Sequence, residues 1–95
     1  MDTRVIDMIG TPAMLEQTSE ECAELTQACL KYARYIRGEN PTPKHLEDIL
    51  DNFYEEVADV ELCIEYMESI LNRGEIERKK EFKRERTLKR LFTEE

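Results

Sequence analysis

Apolar residues recur along this chain at three- and four-residue spacings and never in sustained alternation, so the pattern predicts helices throughout and no strand. Glycine and proline divide it. Thr11-Pro12 reads as a cap followed by proline at the first helical position; nothing then interrupts a helix before Arg37, and Gly38 with Asn40-Pro41 ends it. Thr42-Pro43 repeats the start signal, and a second long helix is predicted to about Asn72, stopping at Gly74. Asp51-Asn52 marks a place for a kink or short break, because both residue types favour caps and turns. A third segment, about Glu75 to Phe92, lacks breakers but is far more charged, and a short helix is predicted over Thr3–Met8. The short linker makes the two long helices antiparallel. The predicted architecture is a single all-α domain over residues 1–95: a helical hairpin elaborated into a four-helix-bundle-like core and completed by oligomerisation.

On a helical wheel each residue advances by about 100°. With Glu21 as origin, Met14, Leu15, Cys22, Leu25, Ala28, Cys29, Tyr32 and Ile36 of the first long helix fall roughly between −20° and +120°. Glu21 therefore lies inside the apolar arc and Glu24 at its edge, whereas Glu16 and Glu20 point outward. In the second long helix the arc that holds Ile49, Phe53, Val57, Val60, Cys63 and Met67 contains Glu56, with Asp59 at its border. Packing the two arcs together brings four carboxylates to one level. Burying unpaired like charges is costly, so protonation, basic partners or metal ions must offset it. Oxygen-only ligands favour a hard cation, Mg²⁺ with Mn²⁺ as a substitute, over zinc or copper. Any single E-x-x-E pair in so acidic a chain is ordinarily solvated surface; two pairs turned into facing apolar arcs are not.

Composition adds constraints. The 95 residues carry a net charge of −8, with 40% hydrophobic and 38% charged residues. So short a chain buries little surface alone, which predicts a homodimer or homotetramer. A lesser stripe, Tyr54, Ala58, Leu62 and Tyr66, is the expected contact. Residues 1–72 hold five Lys/Arg against 16 Asp/Glu, a net of −11; residues 73–95 hold nine against six, a net of +3. That balance argues against a nucleic-acid partner, and no segment reads as a signal peptide or a membrane span. Cys22, Cys29 and Cys63 are odd in number and form no C-x-x-C, so they read as free, mostly buried thiols of a cytoplasmic protein. His45 is the only histidine, which argues against a His-based zinc site or a Ser-His-Asp triad.

The stretch Glu20-Glu21-Cys22-Ala23-Glu24-Leu25, followed by Glu56-Val57-Ala58-Asp59, resembles the E-E-x-x-E … E-x-x-D signature of MazG-like nucleoside triphosphate pyrophosphohydrolases. The likeness extends over about residues 14–91, with Phe82-Lys83-Arg84-Glu85-Arg86 similar to the basic closing helix of phage- and prophage-type members. The interval between Glu24 and Glu56 is long for the motif, and the tail is unusually basic. The resemblance implies an all-α, oligomeric, Mg²⁺-dependent hydrolase of acid anhydrides that converts nucleoside triphosphates, dNTPs or non-standard NTPs among them, to monophosphate and pyrophosphate. It implies Glu21, Glu24, Glu56 and Asp59 as metal ligands, acting through metal and water, and Lys83 and Arg86 as phosphate ligands. Lys31, two turns beyond Glu24, and Gln17 and Asn52, each four residues before a carboxylate, are further substrate-binding candidates, the last two reading first as braces for a carboxylate. Tyr32 and Tyr35 read as core aromatics before base-stacking ones. A non-catalytic helical interaction or regulatory module with a structural metal is the competing reading.

Overall fold

Helix formation begins at the first turn of the chain and reverses at Gly10. The computed structural model describes residues 1–39 and 45–93; the Asn40-Pro41 and Thr42-Pro43 signals lie outside the described residues. Helix α1 spans Arg4–Ile9, α2 Thr11–Arg37, α3 Leu46–Met67 and α4 Arg73–Phe92, with a 3₁₀ turn at Glu68–Ile70. Among the described residues there is no strand. Gly10 adopts φ +86° and ψ 161°, a conformation that side-chain-bearing residues avoid, and this lets α1 fold back beside α2.

The ends of the helices follow local chemistry. Gly38, in the left-handed conformation, ends α2 as its sequence position predicts: its N–H reaches the carbonyls of Arg34 and Tyr35, and the Glu39 N–H bonds Arg34. At the other end Gly10, not Thr11, is the cap, so Thr11 and Pro12 occupy the first turn, where proline removes no intrahelical donor. The expected kink at Asp51-Asn52 does not occur; α3 is continuous, because Ile49 is buried and Phe53 packs on Tyr32, pinning both sides of that dipeptide. The second long helix instead stops at Met67. Asn72 serves as the cap of the next helix, its side-chain oxygen accepting the Glu75 N–H at 3.1 Å, and Gly74 lies inside the first turn of α4.

Helices α2 and α3 form the antiparallel hairpin, and α1 packs across its open end against both. The Thr18 hydroxyl contacts Met67 Sδ at 3.5 Å, and Tyr32 meets Phe53 edge-on at 5.5 Å, which sets the register. The buried residues divide between the two ends: Ile6, Met14, Cys63 and Met67, flanked by Val5, Tyr66 and Leu71, at one end; Ala28 and Ile49 towards the other. Tyr66 is thus drawn into the chain's own core, while Tyr54, Ala58 and Leu62 of its predicted stripe stay exposed. Helix α4 buries no side chain and makes no extended contact with the hairpin. The radius of gyration is accordingly 17.4 Å, where a compact chain of this length would have roughly 12 Å.

Only part of each apolar arc is covered. Leu15 and Ile36 remain 50% and 69% exposed, and Cys22 and Cys29 are exposed while Cys63 is buried. This corrects the expectation of mostly buried thiols. A single neighbouring helix covers the line through Met14, Glu21, Ala28 and Tyr32; Leu15, Cys22, Cys29 and Ile36 form a separate row at seven-residue spacing, displaced by about 100°.

Met14, only 1% exposed, is the best-enclosed large side chain. Met14→Ala is expected to destabilise the fold by about 2–5 kcal/mol in urea titration, whereas Leu15→Ala, one residue away on the uncovered row, should cost under ~1 kcal/mol in the monomeric state. Equal losses would contradict this assignment of the buried line.

Candidate functional site

Between the two apolar ends of the hairpin lies its acidic centre. Helix α2 supplies Glu21 and Glu24, α3 supplies Glu56 and Asp59, and the i, i+3 spacing places each pair on one side of its helix. Carboxylate oxygens of Glu21, Glu24 and Glu56 lie within 4.8 Å of one another. The antiparallel register sets Asp59 beside Glu21 and Glu24 beside Glu56. One oxygen of Glu21 and one of Glu56 are shut off from solvent without any hydrogen-bond partner.

That crowding has an electrostatic consequence. Partial burial, then the like charges of Glu24 and Asp59, push the Glu21 carboxyl above the ordinary glutamate range, against a hydrogen bond from Gln17. Glu56 is raised in the same way, first by burial and then by Glu24. Among the described residues no lysine or arginine forms an ion pair with any of the four. The Cys63 thiol, also raised by burial, stays protonated and offers neither a nucleophile nor a soft ligand. The arrangement suits one task chemically: accepting positive charge.

The other sequence-selected residues are distributed unevenly. Gln17 donates its side-chain amide to Glu21 Oε1 at 2.8 Å and so orients that carboxylate. Asn52 is half-buried on α3 and makes no hydrogen bond to Glu56. Lys31 is exposed on α2, and Glu20 points to solvent. Lys83 and Arg86 sit on α4, exposed and away from the hairpin, so within one chain they are not brought to the carboxylates. Tyr32 is a core aromatic against Phe53, and Tyr35 is exposed.

A cavity of about 340 Å³, which the spacing within the two long helices does not announce, opens beside the carboxylates, walled by Val5 and Ile9 of α1 and by Leu62, Cys63 and Tyr66 of α3, with Gln17, Glu21 and Asp59 on its polar side. The signal was the apolar spacing Val5, Ile6, Ile9: Ile6 enters the core, and its neighbours form the rim. No protein-family model, curated protein or solved structure matches the chain.

Because Glu21 and Glu56 titrate above their unfolded value of 4.5, the folded state binds protons more tightly than the unfolded chain. Cation-free stability should be greatest below about pH 4.5 as far as these two groups contribute, and should fall as pH rises through their raised folded values. In chelator at neutral pH, Glu21→Gln and Glu56→Gln are therefore expected to melt higher than wild type, and Glu20→Gln to melt with it. Gln variants that melt lower would show that the repulsion is absent.

Proposed function

We propose that this protein is a divalent-cation-dependent nucleoside triphosphate pyrophosphohydrolase of the MazG-like kind, yielding nucleoside monophosphate and pyrophosphate. The observation that carries the reading is the convergence of Glu21, Glu24 and Glu56 from facing helices, with Asp59 beside Glu21 and two solvent-shielded oxygens left unpartnered. An all-oxygen, all-anionic donor set fits Mg²⁺ or Mn²⁺. Bound there, such an ion supplies charge neutralisation at phosphate oxygens and a more acidic water. The four carboxylates hold and orient the charge, and Gln17 fixes the Glu21 carboxylate through its 2.8 Å hydrogen bond. The adjoining cavity offers an apolar wall to the nucleoside end of the substrate. Lys83 and Arg86 are the candidates for gripping the phosphates as charge builds on the pyrophosphate leaving group. Lys31 and Asn52 are secondary ones. No helix among the described residues is long and apolar enough to cross a membrane, and three unpaired thiols suit the cytoplasm.

Self-association belongs to the same proposal. The exposed row Leu15, Cys22, Cys29 and Ile36 on α2 has a counterpart on α3 in the half-covered Leu50, Val57 and exposed Ile64. In antiparallel helices both rows are displaced towards the same broad side of the hairpin. A second hairpin laid there completes a four-helix-bundle-like core. A non-catalytic interaction module is the second reading; the freestanding α4 favours it, and hydrolysis decides between the two.

Pyrophosphate release from a panel of dNTPs and NTPs is expected with Mg²⁺ and not in chelator. Asp59→Asn and Glu56→Gln should lower kcat/KM at least about a hundredfold and abolish the rise in Tm that Mg²⁺ confers. Glu20→Gln should preserve both. Absence of release from every nucleotide, with metal binding intact, would leave the interaction module standing.

Thiol labelling tests the assembly. In a lone hairpin Cys22 and Cys29 react quickly and Cys63 slowly; covering the row should slow the first two as protein concentration rises. Two fast thiols at every concentration would refute the bundle.

A further inference from the structure

Helix α4 is an amphiphile of charge. Its 20 residues carry nine Lys/Arg against four Asp/Glu. Short-range ion pairs occupy one set of these: Glu75 with Arg78 and Lys79, Glu77 with Arg73 and Lys80, Glu81 with Arg84. Lys83 and Arg86 have only Phe82, Thr87 and other cations three and four residues away. With Arg90, and with Lys79 that also pairs with Glu75, they form a cationic row at i, i+4, i+7 and i+11, which in a helix is one face. Like charges along a face repel one another, so the row calls for an anionic surface.

Helix α3 presents the complement. It carries eight carboxylates and no lysine or arginine, and among the described residues none of the eight is ion-paired. Asp51 and Glu55, both exposed, stand four residues apart on the flank that continues to Asp59, far from the end that α1 covers. The row from Lys79 to Arg90 extends about 16 Å and the exposed pair Asp51–Glu55 about 6 Å, close to the spacing of the two central cations, Lys83 and Arg86, at about 4.5 Å.

The junction decides whose flank is met. Arg73 clamps Glu68 through two hydrogen bonds, at 3.0 and 2.5 Å, and Asn72 caps the Glu75 N–H at 3.1 Å. The first contact spans the elbow, where Leu71 and Asn72 turn extended, and the second caps α4 as it leaves. Folding α4 back within one chain would require this elbow to be rebuilt. Surface area tells the same way: the chain exposes 7789 Å², about 2,000 Å² more than expected for a compact 11.3 kDa protein. A standard interface takes roughly 800 Å² from each partner.

We propose that α4 is an exchange arm: its Lys79–Lys83–Arg86–Arg90 row docks on the Asp51–Glu55 flank of a second copy of this chain, reciprocally, under a two-fold axis. The contact is electrostatic and distinct from the apolar row; it engages Lys83 and Arg86 in docking in place of the phosphate role given to them above, and it does not depend on what the carboxylate cluster hydrolyses.

Two charge-reversed, full-length variants test it, Lys83→Glu/Arg86→Glu and Asp51→Lys/Glu55→Lys. Sedimentation of the wild type should show self-association that weakens with added salt. Each variant alone should lose this step, its association weakened roughly tenfold to a hundredfold. Circular dichroism verifies that each variant is folded. Mixed in equal amounts, the two should assemble into a hetero-species, since each reversed arm then meets an opposite flank. A mixture that stays as two separate species overturns the exchange, as an arm closing on its own chain would produce. So does a wild type that shows no salt-sensitive association yet binds a DNA or RNA duplex at the same concentration.

Discussion

Four carboxylates share the seam of a two-helix hairpin, and most of what distinguishes this structure follows from accommodating them. Apolar packing would ordinarily run the length of such a seam. Here it is displaced to the ends, with Ile6, Met14, Cys63 and Met67 at one and Ala28 and Ile49 towards the other. Helix α1 exists structurally to strengthen the first end, inserting Ile6 beside Met14 and Met67. The acidic centre opposes closure: burial and mutual repulsion raise Glu21 and Glu56, and among the described residues no basic side chain pairs with them.

The same constraint limits how much apolar surface one chain can cover. A seam interrupted by charge, and only one helix wide, leaves part of each apolar arc uncovered. An extra 20-residue helix adds charge without adding core. Positive charge is thereby segregated from negative charge within one chain: α3 holds eight carboxylates and no cation, α4 an excess of cations. Segregated charge does little for an isolated fold, whose exposed pairs contribute at most about 1 kcal/mol each. It can, however, specify how copies meet, because complementary faces select orientation even where they add little affinity.

The sequence by itself determined the all-helical class, the extent and glycine-terminated end of α2, and the placing of Glu21 with Glu24, and of Glu56 with Asp59, on one side of each helix. These depend on the fixed 100° step of a helix, which places i and i+3 together whatever surrounds them. Three features waited for the tertiary structure. An apolar arc states which side is greasy, not which line within it a single partner helix covers, so Cys63 is buried while Cys22 and Cys29 are not. Asn72 could close one helix or cap the next, and only the contest between the end of α3 and the Glu75 N–H settled it. The reach of Lys83 and Arg86 was undetermined for the same reason: α4 takes its direction at the elbow, where Leu71 and Asn72 leave the helical conformation and Glu68 pairs with Arg73, a turn that no helical period encodes.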